Sequence, residues 1–241
     1  MKNHLNKQEI RVPFFETGVK NYLFGDAVLE YAQVVDKVAE KFDIDILFIT
    51  PYTDIRRVAE NTKNLIILAP YMDTLRPGRG IADVLPEAVK AAGAQGVVMN
   101  HCERPMTLSA IEQTIARANE LGLLTFACAD SIPEAKAIAQ LHPDIINPEP
   151  TELIGSTEAS DMSYVKETLR VIKDLFPDIL VEQAAGITNG QQVYDFIMAG
   201  NDAAGSASGI LQSENPYAMV DEMVFYVRKA KDDIGNNRDM V

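Results

Sequence analysis

The chain of 241 residues lacks several features, and each absence removes a class of protein. Its two cysteines, Cys102 and Cys128, are not spaced as C-x-x-C, so neither a disulfide framework nor a thiol redox motif is implied. Its three histidines, His4, His101 and His142, form no ligand-spaced pair, and no metal is expected. No apolar run reaches the roughly 18 residues needed to cross a bilayer. The first ten residues lack the apolar segment of a signal peptide, so a soluble cytoplasmic protein is expected. Positive charge is scarce: 22 Lys and Arg against 35 Asp and Glu leave a net charge of -13. That balance argues against nucleic acid and anionic membrane as partners. A small anion can still be held locally, by backbone N–H groups at helix N-termini and one buried lysine. There is no G-x-G-x-x-G, no P-loop and no G-x-S-x-G. No cofactor is expected.

What is present is an alternation of strand-like and helix-like segments. Strand-like runs are Arg11–Glu16, Asp45–Thr50, Leu65–Ala69, Gly96–Asn100, Leu124–Ala129, Asp144–Asn147, Ile179–Gln183 and Asp202–Ser206. Between them, Asp26–Phe42 stacks Val28, Ala32, Val35, Ala39 and Phe42 at helical spacing. Leu108–Leu121 stacks Leu108, Ile111, Ile115 and Ala118, opened either by a Ser109/Glu112 capping box or by Thr107. Tyr164–Phe176 stacks Val165, Leu169, Ile172 and Leu175, with a helix start placed near Ser160. Glycines 93, 96, 122 and 200 mark helix-to-strand joins. Serial β-then-α units predict an α/β fold, a closed (β/α)8 barrel, over a single domain of residues 1–241; a doubly wound open sheet, which would carry its phosphate glycines after the first strand, is the alternative. Residues 1–10 read as an extension and 233–241 as a tail. The last strand is rich in Ala, Gly and Ser, so a loop is the competing reading there.

In such a barrel the C-terminal strand ends share one mouth. Three chemically capable side chains fall at strand ends. His101 follows Gly96–Asn100, and a neutral imidazole donates to a carbonyl oxygen and shuttles protons between oxygens. Glu149 sits between Pro148 and Pro150 and leads into the Gly/Ser/Thr-containing stretch 151–160, the pattern of a base on a closing lid. Glu152, inside that lid, is the competitor for a fixed base. Lys20 follows the first strand; a lone lysine is ordinarily a solvated charge, and only its place beside the mouth singles it out. Gly155-Ser156, Ala185-Gly186-Ile187 and Ala207-Ser208-Gly209 offer backbone N–H groups for a phosphate. The ordinary alternative is that these glycines only make turns.

At these positions the chain resembles the triosephosphate isomerase family, its shorter archaeal-type branch in particular, from about Phe14 to Met223. Asn100-His101-Cys102-Glu103-Arg104 looks like the family's Asn/Gly-His-Ser-Glu-Arg, and Glu149-Pro150-Thr151-Glu152-Leu153-Ile154-Gly155 like its Glu-Pro-Pro-Glu-Leu-Ile-Gly. The resemblance implies that Glu149 takes a proton from carbon and that His101 polarises the carbonyl. It assigns Lys20 to the enediolate and the anion, Cys102 and Glu103 to support, and the backbones of Gly155, Gly186, Ala207 and Ser208 to phosphate. It also implies self-association as a homodimer or homotetramer, through the loop Tyr71–Gly80. Gly18-Val19-Lys20 departs from the family's Asn-(aromatic)-Lys, and Ala69-Pro70-Tyr71 from its Ala-Gln.

The expected activity is aldose–ketose isomerisation of a small phosphorylated sugar through an enediol. Within that class stand triose phosphate, by the general match, and tetrulose phosphate, by the room left at Gly18. A sugar-phosphate sensor that has lost turnover is the alternative from another class.

Overall fold

Strands made mostly of apolar or small residues need burial on both faces, and a parallel barrel wrapped by helices supplies it. The computed structural model describes residues 7–155 and 159–238. Eight parallel strands close in chain order: β1 (Phe14–Gly18), β2 (Ile46–Ile49), β3 (Leu65–Ala69), β4 (Gly96–Met99), β5 (Leu124–Ala129), β6 (Ile145–Pro148), β7 (Leu180–Gln183) and β8 (Ala203–Gly205). Around them lie α1 (Asp26–Phe42), α2 (Ile55–Asn61), α3 (Pro86–Ala91), α4 (Leu108–Leu121), α5 (Ile132–Ala139), α6 (Met162–Leu175), α7 (Gly190–Met198), α8 (Ser208–Leu211) and α9 (Pro216–Arg238). This is the predicted (β/α)8 barrel.

Alternation along each strand splits the core in two. Phe14, Leu47, Ile66, Leu68, Val98 and Phe126 fill the barrel. Phe15, Phe48, Ile67 and Val97 face outward and pack against the helices. The apolar stripe of α1, with Val28, Ala32 and Val35 fully buried, lies on that outer layer. Burying one such side chain contributes roughly 1.5–3 kcal/mol, which is why the stripe predicts the helix so well.

Several boundaries differ from the sequence expectation. Helix α4 is capped by Thr107, whose side chain accepts from the Ala110 N–H, so the Ser109/Glu112 capping box does not form. Helix α6 starts at Met162 behind the cap Asp161, two residues beyond the expected start near Ser160. Gly96 lies inside β4 and caps no helix; a Cβ there would come within 2.8 Å of Leu124 Cβ. The Ala/Gly/Ser segment is a strand: β8 pairs with β1 and β7 and closes the ring.

At the barrel's N-terminal end, residues 7–10 lie against its floor. Lys7 pairs with Asp144 at 2.5 Å, and Ile10 packs on the interior cluster. At the other end of the chain α9 runs on through 233–238, where the sequence reads as a tail, and Asp233 accepts from Tyr194 at 2.8 Å. Among the described residues no helix is long and apolar enough to cross a membrane.

Candidate active site

The ends of β1, β4 and β6 set the three side chains around one mouth. Past β1 the chain turns sharply at Lys20, a non-glycine residue with φ 43°. Past β4 it turns at Asn100, φ 58°. A left-handed residue of this kind costs roughly 1–2 kcal/mol. The Asn100 side chain offsets it by donating to Cys128 O at 3.0 Å and Glu134 Oε1 at 2.9 Å and by accepting from Met106 N at 2.8 Å. Three such bonds contribute about 1 kcal/mol each, so the turn that aims His101 is held by its own neighbour. Past β6, Glu149 donates its N–H to Ala129 O at 2.9 Å. Pro150 then caps the one-turn helix Thr151–Leu153.

Glu149, His101, Lys20, Gly18, Gly155, Gly186, Ala207 and Ser208 all border one cavity of about 70 Å³. Ser156 lies outside the described residues. Glu152 is exposed and is not part of the cavity wall. Cys102 stands beside it, with Sγ 3.8 Å from His101 Nδ1. Glu103 lies on the rim, its Oε1 3.3 Å from Lys20 Nζ. Its backbone N–H donates to His101 Nδ1 at 3.1 Å, which makes Nδ1 an acceptor and puts the ring proton on Nε2.

Electrostatics sharpen these assignments. Burial, with the Lys20 charge behind it, pushes His101 down to about 4, against the weaker pull of Glu103; the ring is neutral at ordinary pH. Burial pushes the Glu149 carboxyl up to about 7, opposed by Lys20 and helped by Asp130 and Glu103. A carboxylate poised there is a competent base near neutrality.

Another side of the cavity is built by two tied loops. Ser206 donates its hydroxyl to Ile187 O at 2.8 Å, and its N–H to Glu16 O at 3.1 Å. Gly209 packs so closely that a Cβ there would come within 2.0 Å of Ile187 O. The backbone N–H groups of Gly186, Ala207 and Ser208 donate to no protein acceptor among the described residues. Three free donors on one rim fit an anion.

Sequence reasoning missed part of the wall. Glu16, Cys128 and Asn147 border the same cavity from inside the barrel. A neighbouring cavity of about 300 Å³ shares Lys20, Ile49, Val98 and His101, and is closed by Tyr52, Tyr71 and Arg104. Arg104 stacks on the Tyr71 ring at 3.9 Å. The available signal was position: a glutamate inside a barrel strand, as at 16, has no solvent face to turn to. Among the described residues no group of three or more His, Cys, Asp or Glu side chains is arranged to hold a metal ion.

The triosephosphate isomerase family model matches residues 18–193. The chain belongs to this family. Triosephosphate isomerase of Methanocaldococcus jannaschii is 33% identical over 210 residues, covering 86% of this chain and 95% of its own. That of Methanobacterium bryantii is 34% identical over 217 residues, covering 89% and 95%. That of Sulfurisphaera tokodaii is 32% identical over 211 residues, covering 87% and 92%. The stretch matched by the triosephosphate isomerase family runs from Gly18 past Lys20, His101, Glu149 and Gly186, and ends before Ala207 and Ser208.

Proposed function

We propose that the chain is an aldose–ketose isomerase acting on a small sugar phosphate, as triosephosphate isomerases interconvert dihydroxyacetone phosphate and glyceraldehyde 3-phosphate. The observation that carries this reading is one cavity bordered by a carboxylate raised to about 7, a neutral imidazole with its proton on Nε2, and a lysine. Glu149 removes a proton from the carbon beside the carbonyl. His101 gives its Nε2 proton to the carbonyl oxygen, and Lys20 stabilises the developing negative charge. Glu149 then returns a proton to the neighbouring carbon while His101 recovers one from the other oxygen. One proton moves from carbon to carbon and one from oxygen to oxygen, so nothing is oxidised overall.

The free N–H groups of Gly186, Ala207 and Ser208 bind the phosphate, with Gly155 on the same cavity wall. Cys102 and Glu103 support His101. A sensor of sugar phosphates would need the anion site but no base raised toward neutrality. Two copies associate through the loop Tyr71–Gly80; Ile81, just beyond it, is 96% exposed in the single chain, which supports a partner surface there.

The test is turnover of dihydroxyacetone phosphate by the native chain and by Glu149→Gln. Loss of about a thousandfold or more in kcat with KM little changed is expected. Near-native turnover in Glu149→Gln would remove the base from the account.

A further inference from the structure

The end of β5 ties together the two turns that carry His101 and Glu149. Three consecutive residues there each bond a different part of the site. Cys128 O accepts from Asn100 Nδ2 at 3.0 Å, and so holds the turn before His101. Ala129 O accepts the Glu149 N–H at 2.9 Å, and so holds the segment that carries the base. The Asp130 N–H donates to Glu134 Oε2 at 2.8 Å. The other oxygen of that carboxyl, Oε1, accepts from Asn100 Nδ2 at 2.9 Å. These bonds close a ring that starts and ends at Asn100, and Asn100 and Glu134 are the two side chains in it.

Glu134 does more than cap its own helix. It stands in the first turn of α5, where the Ser131 hydroxyl accepts the Glu134 N–H at 3.3 Å. A glutamate three residues after the cap ordinarily reaches back to the cap residue's own N–H. Here the carboxyl passes Ser131, takes the N–H of Asp130, and spends its second oxygen on Asn100 of another loop. Both oxygens accept, so a carboxylate fits this place, and an amide with a single acceptor does not. Glu134 is not part of the wall of either cavity, so it reaches the substrate only through other residues.

We propose that Glu134 is a positioning residue for the isomerase: by bridging the Asn100 side chain and the Asp130 backbone, its carboxylate fixes the His101 turn against the segment carrying Glu149 and keeps the imidazole proton on Nε2. This rests on the isomerase reading and deepens it. Asn100 is buried, with φ 58°, and both hydrogens of its amide are used, one on Cys128 O and one on Glu134. Without the carboxylate one of those donors is left without a partner, on a backbone that already opposes the left-handed turn. The turn then relaxes and carries the Glu103 N–H away from His101 Nδ1, and the ring takes either neutral tautomer. Glu149 stays in place, because its N–H remains on Ala129 O. The site loses its aligned proton donor and keeps its base and its anion loops, so kcat falls and KM does not.

The experiment compares the native chain, Glu134→Gln and Ser131→Ala. It reads the His101 tautomer of the free protein by nitrogen-15 NMR, Tm, inhibition by inorganic phosphate, and kcat and KM with whichever of dihydroxyacetone phosphate and the erythrulose phosphates the native chain turns over. Glu134→Gln should lower kcat by about tenfold or more, with KM and phosphate inhibition within about twofold of native. Its His101 ring should show a mixture of the two neutral tautomers, where the native ring shows Nε2–H alone. Ser131→Ala removes the cap of the same helix and should lower Tm while leaving kcat and the tautomer as they are. Should Glu134→Gln fail to fold, Glu134→Asp, which keeps the charge and is one carbon too short to bridge both partners, must give the same kcat loss and the same mixture. A native kcat and a native His101 spectrum in Glu134→Gln overturn the proposal and leave the isomerase standing. Equal losses in Ser131→Ala overturn it too, since the helix cap would then account for the effect. No turnover of any of these compounds by the native chain removes the isomerase reading, and the role of Glu134 in it.

Discussion

The Glu103 backbone N–H donates to His101 Nδ1 at 3.1 Å, and this bond decides what the imidazole can do. With Nδ1 accepting, the proton sits on Nε2 and the ring acts as a neutral donor. Burial and Lys20 hold its titration near 4. Nitrogen-15 NMR of the free protein should therefore show a neutral His101 ring, protonated on Nε2, down to about pH 5. A His101 titration near 6.5 would contradict that. His101→Gln should lose about 10²–10⁴-fold in kcat.

Glu149 must be ionised to act as a base, so kcat/KM should climb with pH through about 7 and level off above it. The Lys20 charge holds that carboxyl down, against the burial that raises it. Lys20→Met should therefore move the ascending limb to higher pH as well as raising KM. A limb that stays in place, or moves down, would show that the limb belongs to another group.

Gly209→Ala tests the tie between the loops at Gly186 and Ser208, proposed to hold the phosphate. Its Cβ would meet Ile187 O at 2.0 Å, a backbone atom that cannot swing aside. Overpacking of this kind costs about 1–3 kcal/mol, or roughly 2–4 °C in Tm for each kcal/mol. KM should rise about tenfold or more as Gly186 and Ser208 move apart, while inorganic phosphate, titrated as a competitive inhibitor, weakens in parallel. Unchanged phosphate inhibition would mean these loops do not hold the anion.

Glu16 and Glu182, both buried inside the barrel, make stability depend on pH in an unusual direction. Burial raises Glu16 to about 8, well above an unfolded glutamate, and raises Glu182 further. Between about pH 4.5 and pH 8 the folded chain thus binds more protons than the unfolded one, and stability falls as pH rises. Tm should be lower at about pH 9 than at about pH 6, and Glu16→Gln should flatten the slope. A Tm that rises over that window in the native chain, with no change of slope in Glu16→Gln, would contradict a neutral Glu16.

The barrel was legible where hydrophobic patterning is strong. Leu65–Ala69 and Leu124–Ala129 read as strands to the residue, as did the helices Asp26–Phe42 and Leu108–Leu121. Lys20, His101, Glu149 and the loops at Gly186 and Ser208 were legible because strand ends share one face of a barrel. The strand Ala203–Gly205 was ambiguous because its residues are small for a tertiary reason: Gly205 leaves room for Glu16 and Glu182. Those two were invisible to patterning. A glutamate that breaks an apolar run reads as an outward-facing residue, and only the closed ring, with helices over its outer face, turns it inward. Thr107 won the cap of its helix over Ser109 through its extended backbone, ψ 153°, which aims its hydroxyl at the Ala110 N–H.

If Glu149 moves a proton between adjacent carbons of a sugar phosphate, solvent deuterium enters the substrate. The most direct measurement is deuterium incorporation from D2O, followed by NMR, at the carbon beside the carbonyl of dihydroxyacetone phosphate and of the erythrulose phosphates. Exchange is expected with the native chain, and its loss, by about a thousandfold or more, in Glu149→Gln. No exchange with any of them, while they still raise Tm, would contradict it and leave a protein that binds sugar phosphates without turning them over.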